Sequence, residues 1–272
     1  MKEIIKLISP VMVLAFTAVS AHGAIKTQLV EYKHGDTTLV GYLAYNTQVK
    51  GKRPGILVVH DWMGEGEFNR DVSRKLAEMG YIAFSADIYG KGIRPKNRGE
   101  AREQATKYRS DRKLMRNRAR AALDVLLANK MTSPKLVAAL GYCFGGGVTL
   151  ELARGGAPLA GAISFHGNLD TPDPKDAKNI KGKILVLHGA DDPSVPPAQV
   201  AAFQQEMRDA GVDWQFVSYG GAVHACTNPA AGDDNSRGAA YNEKADKRSW
   251  EAMKVFFSEI FFEQDYCSSS AS

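Results

Sequence analysis

The chain is expected to be an α/β protein: a mostly parallel central sheet with helices on both faces and an antiparallel hairpin at its start. Three observations predict this. Short, continuously apolar runs such as Gly55–His60 have the character of strands covered on both faces. They alternate with segments whose apolar residues recur at helical spacing, which implies βα units and parallel pairing. The first two strand-like segments are joined instead by His34-Gly35-Asp36, a turn signal, which makes them a hairpin.

In chain order, Thr27–Tyr32 and Thr38–Tyr45 are the hairpin strands and Gly55–His60 is the first buried strand. Phe68, Val72, Leu76 and Met79 then recur at helical spacing, and Gly80 stops the helix. Tyr81–Ala86 is a strand. Two helices fit within Asn97–Asn129, the second carrying Leu123, Leu126 and Leu127 on one side. Leu136–Leu140, Leu159–Phe165 and Lys183–His188 read as further strands. Ala198–Ala210 is a helix ended by Gly211, and Trp214–Tyr219 is the last strand. Trp250, Met253, Phe257 and Ile260 give a closing amphipathic helix. In sheets of this kind, sites form beyond the carboxyl ends of the strands.

The start of the chain reads as a secretory signal. Lys2 and Lys6 precede a mostly apolar stretch, Leu7–Ala21, which ends in Val19-Ser20-Ala21, small residues at cleavage spacing. The expected organisation is a leader at 1–23 and one domain at 24–272, exported to the periplasm or beyond. The leader is short for a membrane span, and no later segment is long and apolar enough, so no stable membrane insertion is expected. Three cysteines, Cys143, Cys226 and Cys267, leave at least one thiol unpaired in an exported protein, and Cys226 and Cys267 form a possible bridge. Charge is uneven. Between Lys91 and Arg120 stand twelve basic and three acidic residues, a block of +9 in a chain whose net charge is +5. Such a block suits an anionic partner or simply the solvated faces of two helices. No aromatic interleaving or nucleic-acid motif accompanies it, so no nucleic-acid partner is expected.

Chemistry concentrates at Leu140-Gly141-Tyr142-Cys143-Phe144-Gly145-Gly146-Gly147, a G-x-C-x-G turn between a strand and a helix. Such a turn strains its central residue and points the side chain over the sheet edge at a helix N-terminus. There, exposed amides favour a thiolate and the oxyanion it creates. The same Cys143 also reads as a small buried side chain in a Gly-rich loop.

A thiol nucleophile needs a base, and the base needs an orienting acid. After Lys183–His188 comes Gly189-Ala190-Asp191-Asp192-Pro193-Ser194-Val195-Pro196; Asp192 is the candidate acid and Asp191 the alternative. Either also suits a cap on the following helix. After Trp214–Tyr219 comes Gly220-Gly221-Ala222-Val223-His224, which makes His224 the candidate base. His60, His166 and His188 end strands and read as pocket liners or supporting donors. The oxyanion needs two backbone amides. Phe144, which follows the nucleophile, and Trp62, in the loop after the first buried strand, are the candidates.

With these pieces in place the chain resembles the dienelactone hydrolase family of the α/β-hydrolase fold over nearly all of 24–272. The matching segments are His60-Asp61-Trp62-Met63-Gly64, Ala86-Asp87-Ile88-Tyr89-Gly90, Gly141-Tyr142-Cys143-Phe144-Gly145-Gly146, Asp192-Pro193-Ser194-Val195-Pro196 and Val223-His224 with Thr227-Asn228-Pro229. The resemblance implies a Cys143-Asp192-His224 triad and hydrolysis of a small enol lactone or ester through an acyl-thiol intermediate. Two departures stand out. Where well-known members place a glutamate after the third strand to hold the resting thiol, this chain has Asp61, one methylene shorter. Where they use two arginines for the substrate carboxylate, it has Lys91, with Arg94 slightly further on, and Asn228. Asp61, Lys91, Tyr142 and Asn228 are therefore the candidates for contact with substrate or support of the reacting groups. No metal or organic cofactor is expected, since no His/Cys/Asp cluster has metal-ligand spacing, and the protein is expected to act as a monomer or weak homodimer. Thioester or general carboxylester cleavage on the same scaffold, and a binding protein without turnover, are the alternatives.

Overall fold

The structure, a computed structural model, describes residues 24–262. The expected leader and Cys267 lie outside the described residues.

β1 (Ile25–His34) and β2 (Thr37–Asn46) pair antiparallel around Gly35, whose φ of 55° suits the turn. β3 (Arg53–Val59), α1 (Glu67–Glu78), β4 (Ile82–Ala86), α2 (Arg98–Ser110), α3 (Arg112–Ala128), β5 (Thr132–Tyr142), α4 (Phe144–Arg154), β6 (Gly161–Phe165), β7 (Lys183–Gly189), α5 (Pro197–Ala210), β8 (Trp214–Tyr219) and α6 (Glu243–Phe262) follow. The eight strands form one sheet in the order β1-β2-β4-β3-β5-β6-β7-β8. β2 runs antiparallel to β4, and every pair from β4 to β8 is parallel. This is an α/β-hydrolase fold.

Alternation along the central strands divides the core in two. Leu57 and Val59 face one way, against Met115, Leu123 and Leu126 of α3, Val148 of α4 and Phe203 of α5. Ile56 and Val58 face the other, towards Val72 and Leu76 of α1 and Met253, Phe257 and Ile260 of α6. Each such fully buried side chain contributes roughly 1.5–3 kcal/mol relative to exposure.

Local chemistry sets the element ends. Asn97 caps α2 by accepting from the Glu100 amide at 3.0 Å, while the Glu100 carboxylate reaches back to the Lys96 amide at 2.8 Å. Asp111 separates α2 from α3 and caps the latter through the Leu114 amide at 2.8 Å. Gly211, at φ 66°, ends α5. One expected boundary is corrected. β6 begins at Gly161 rather than Leu159, because the Leu159 amide turns back to the Ala157 carbonyl at 2.8 Å. α6 runs from Glu243 through the expected apolar face, and Asn242 caps it through the Ala245 amide at 3.0 Å.

The sheet order places the site. From β3 the chain crosses to β4 on one side and then to β5 on the other, so β3 and β5 flank the point where strand order reverses. Val59 pairs with Gly141 and Tyr142 with Phe165, so β3, β5 and β6 end level with one another.

Candidate active site

At the end of β5 the chain turns into α4 through Cys143, which holds φ 54° and ψ −117°, a strained conformation for a residue with a Cβ. The turn closes on glycines. A methyl group at 141 would run into the Gly145 carbonyl, and one at 145 into the carbonyls of Val59 and His60 at the end of β3. The spacing of the motif is thus a packing requirement of strand, turn and helix. The Cys143 amide donates to the Phe165 carbonyl at 3.0 Å, and the Cys143 carbonyl accepts from Gly146.

Cys143 is partly exposed, at the floor of a cleft of about 980 Å³. His224, on the loop after β8, brings Nε2 to 2.9 Å from Cys143 Sγ and Nδ1 to 2.8 Å from Asp192 Oδ2. Asp192, buried on the loop after β7, accepts a second bond from the Ser194 amide at 2.8 Å. Asp191 faces elsewhere: it accepts from the Gly221 amide at 3.0 Å and so braces the turn that leads to His224. Neither aspartate caps α5, whose N-cap is Pro196.

Electrostatics follow from this line of contacts. Burial disfavours a charge on His224, but the negative sulfur of Cys143 and the Asp192 carboxylate outweigh it and push the ring up to about 10. Burial likewise works against the Asp192 carboxylate, yet the hydrogen bond and charge of His224 hold it below the usual range. Replacement of Cys143 should therefore weaken the ring's hold on its proton. In Cys143→Ser the His224 ring, followed by NMR titration, is expected to fall well below about 10; a ring still titrating there would assign the whole effect to Asp192.

The other expected residues separate into those the cleft contains and those it does not. Asp61, Trp62, Tyr142 and Asn228 line it. Asp61 folds back onto the Met63 amide at 2.7 Å and, among the described residues, makes no hydrogen bond to Cys143. Burial pushes its carboxyl upward, against the opposing effects of that amide and of His224. Among the described residues the amides of Trp62 and Phe144 have no protein acceptor. The Trp62 carbonyl accepts from Tyr89 Oη at 3.0 Å, which fixes the loop. Tyr142 stacks on Phe165 at 4.6 Å between ring centroids and meets Phe68 edge-on. Asn228 accepts from the Ala230 amide at 3.0 Å and so stiffens the rim.

Lys91 is the exception. It stands exposed, paired with Glu31 of β1, and does not line the cleft. Arg94 is drawn back to Asp87 and Glu65, both buried. The cations that do line the cleft are Lys96, Arg98, Arg102, Arg109 and Arg237, against Asp61 and Asp170. Four of the five belong to the basic block around α2, and the Arg109 guanidinium carbon lies 5.8 Å from the Phe144 ring centroid. From the sequence that block suits either an anionic partner or solvated helix faces, and the structure turns four of its cations into the cleft. Its position just past the carboxyl end of β4 was the available signal.

The strand-end histidines are buried. His60 takes the Ile88 amide on Nε2 at 3.1 Å and meets the Asp61 carbonyl through Nδ1 at 2.6 Å, tying the ends of β3 and β4 together. Burial lowers it to about 4, so it stays neutral. His188 is lowered by burial too. His166 meets Thr227 Oγ1 through Nε2 at 2.8 Å. Among the described residues no group of three or more His, Cys, Asp or Glu side chains is arranged to hold a metal, and no helix is long and apolar enough to cross a membrane.

Comparison with known proteins identifies the family. A model of the dienelactone hydrolase family matches residues 39–261. The solved structure of m3DLH is 40% identical, with a TM-score of 0.85 over 88% of this chain and 100% of that one. A dienelactone hydrolase-like promiscuous phosphotriesterase from metagenomic libraries is 39% identical, with a TM-score of 0.84 over 88% and 99% of the two chains. A protein of Saccharolobus solfataricus, provisionally named a carboxymethylenebutenolidase, is 26% identical over 242 residues, 75% of this chain and 89% of that one. The chain belongs to the dienelactone hydrolase family and is an ester or lactone hydrolase.

Proposed function

We propose that the protein cleaves small esters or lactones through Cys143, His224 and Asp192, with a covalent acyl-thiol intermediate. The observation that carries this reading is the unbroken line from Cys143 Sγ to His224 Nε2 at 2.9 Å and from His224 Nδ1 to Asp192 Oδ2 at 2.8 Å, at a strained strand-to-helix turn.

The thiolate attacks the carbonyl carbon, and the electron pair of the C=O bond moves onto oxygen. The amides of Trp62 and Phe144, which have no protein acceptor among the described residues, hold that oxyanion. Collapse of the intermediate expels the alkoxide or enolate oxygen, which takes the proton from His224. In a lactone this oxygen stays tethered to the acyl group. The sulfur is now a neutral thioester, so the charge that held the His224 proton is gone. The neutral ring then removes a proton from water, the hydroxide attacks the thioester, and the acid departs as the Cys143 thiolate and His224 imidazolium re-form. Asp192 keeps the ring oriented throughout. The same residue is therefore a strong cation before acylation and a competent base after it.

The cleft cations suit a substrate that carries a carboxylate, as the name of the Saccharolobus relative denotes for that protein. Rapid quench with p-nitrophenyl acetate should leave an acetyl group on the peptide that bears Cys143. Arg102→Glu/Arg109→Glu should raise KM for an acid-bearing enol lactone roughly 10-fold or more, a loss of at least about 1.4 kcal/mol, while KM for the neutral ester changes little. An acyl group on another side chain, or none, would overturn the assignment. Faster turnover of thioesters than of oxygen esters would move it to a thioesterase. The basic, apolar start of the chain (Lys2, Lys6, Leu7–Ala21) supports action outside the cytoplasm.

A further inference from the structure

His166 carries three costs at one position. It is a non-glycine residue at φ 39°, it is 2% exposed, and among the described residues its buried Nδ1 has no partner. Costs gathered at one residue beside an active site point to a role. What the ring does make is one polar contact, Nε2 to Thr227 Oγ1 at 2.8 Å, with both side chains buried. The ring meets that of His224 in a T-shaped contact, 5.4 Å between ring centroids.

Thr227 lies three residues past His224 on a loop that is itself strained, with Ala225 at φ 58°. On one side this loop is held by backbone bonds to the segment before α6: the His224 carbonyl accepts from Ala240 at 3.0 Å and the Cys226 carbonyl from Asn242 at 2.9 Å. Towards the sheet, the His166–Thr227 contact holds it. The residue before His166 is Phe165, whose carbonyl accepts the Cys143 amide at 3.0 Å. Two consecutive residues at the end of β6 therefore hold both reacting partners, one by a backbone bond to the thiol's turn and the other by a side-chain bond to the imidazole's loop. This short connection joins the turn that carries Sγ to the loop that carries Nε2.

We propose that His166 is a positioning residue: through Thr227 it fixes the His224 ring against Cys143. The inference rests on the hydrolase reading above and adds a residue to it. The charged or titratable groups that face His224 are Cys143, Asp192, Asp61, His188 and His166 itself. Burial, with the nearby charge of His224, pushes His166 down to about 3, so it anchors the loop without adding a competing positive charge.

The test uses Thr227→Val, which keeps shape and loses the hydroxyl, Thr227→Ser, which keeps the hydroxyl, and His166→Phe alone and with Thr227→Val. Thr227→Val is expected to lower kcat on p-nitrophenyl acetate about 10- to 100-fold, as for a small misplacement of a reacting group. KM should change little. The acid limb of the kcat/KM profile should move to higher pH, because a loosened imidazolium supports the thiolate less. Thr227→Ser should retain activity, and the double variant should be no slower than the slower single variant. Wild-type kcat with an unshifted profile in Thr227→Val, equal impairment of Thr227→Ser, or additive losses would each overturn the proposal. So would a loss explained wholly by a smaller acyl burst, since that reports fewer folded sites. Cys143→Ala in the same assay separates the two levels. If it retains turnover, the hydrolase reading fails and His166 with it. If it is silent while Thr227→Val is normal, only the role of His166 fails.

Discussion

Cys143→Ala is expected to lower kcat for ester hydrolysis by about a million-fold, the scale seen when the nucleophile of such a triad is removed. The variant should fold normally: alanine meets the same backbone at φ 54°, and the turn is closed by Gly141 and Gly145 rather than by the sulfur. Loss of activity at unchanged melting temperature would then report chemistry alone. His224→Ala should cost nearly as much, and the double variant no more, because thiol and imidazole act as one unit. Asp192→Asn should be milder, about ten-thousand-fold, since it leaves the contact in place while favouring the wrong tautomer. Substantial turnover by Cys143→Ala would transfer the chemistry to another group in the cleft and remove the basis for the acyl-thiol route.

The parts legible in the sequence are those that local rules dictate. A turn that crowds backbone against backbone accepts only glycine at 141 and 145, so the elbow was readable from spacing. Strands covered on both faces must be apolar throughout, so β3, β4 and β7 showed themselves as runs. The positions of Asp192 and His224 followed from their place just past successive strands. The choice between Asp191 and Asp192 did not: both precede the same helix, and only the three-dimensional path of the β8 loop gives one to Gly221 and the other to His224. Lys91 was a reasonable place for a substrate cation by alignment of motifs, but the β1–β2 hairpin, packed beside β4, supplies Glu31 and draws the ammonium outward. The cationic wall of the cleft was hidden because the faces of α2 are settled by tertiary packing. Ala101, Ala105 and Tyr108 are its buried face, too small a stripe to read as one. The His166–Thr227 contact spans sixty-one positions and involves neither partner's neighbours, so no periodicity announces it.

Arg154→Met is expected to destabilise the fold by about 3–5 kcal/mol, although Arg154 touches neither Cys143 nor His224. Arg154, 1% exposed, ends α4, the helix that begins at the elbow. Its Nε and Nη2 form a fork onto both carboxylate oxygens of Glu206 at 2.8 and 2.7 Å, and Nη1 reaches Glu151 at 3.1 Å. Glu151 keeps a second cation, Arg116, at 2.8 Å. Glu206, among the described residues, pairs with Arg154 alone, so the substitution leaves a buried carboxylate without a counter-charge. The loss should therefore depend on what stands at 206: Arg154→Met/Glu206→Leu is expected to recover most of it, because an apolar pair of similar volume avoids desolvating either charge. Equilibrium urea unfolding of the two variants measures both values. Equal destabilisation in both would mean that packing rather than unpaired charge dominates. The same guanidinium also donates to the Leu169 carbonyl at 2.9 Å, and Leu169 lies between Asn168 and Asp170, both of which line the cleft. Arg154 thus ties the far end of the elbow helix to the cleft wall at Asn168 and Asp170. The double variant should regain stability more fully than it regains KM, since leucine at 206 removes the buried charge but cannot restore the bond to Leu169.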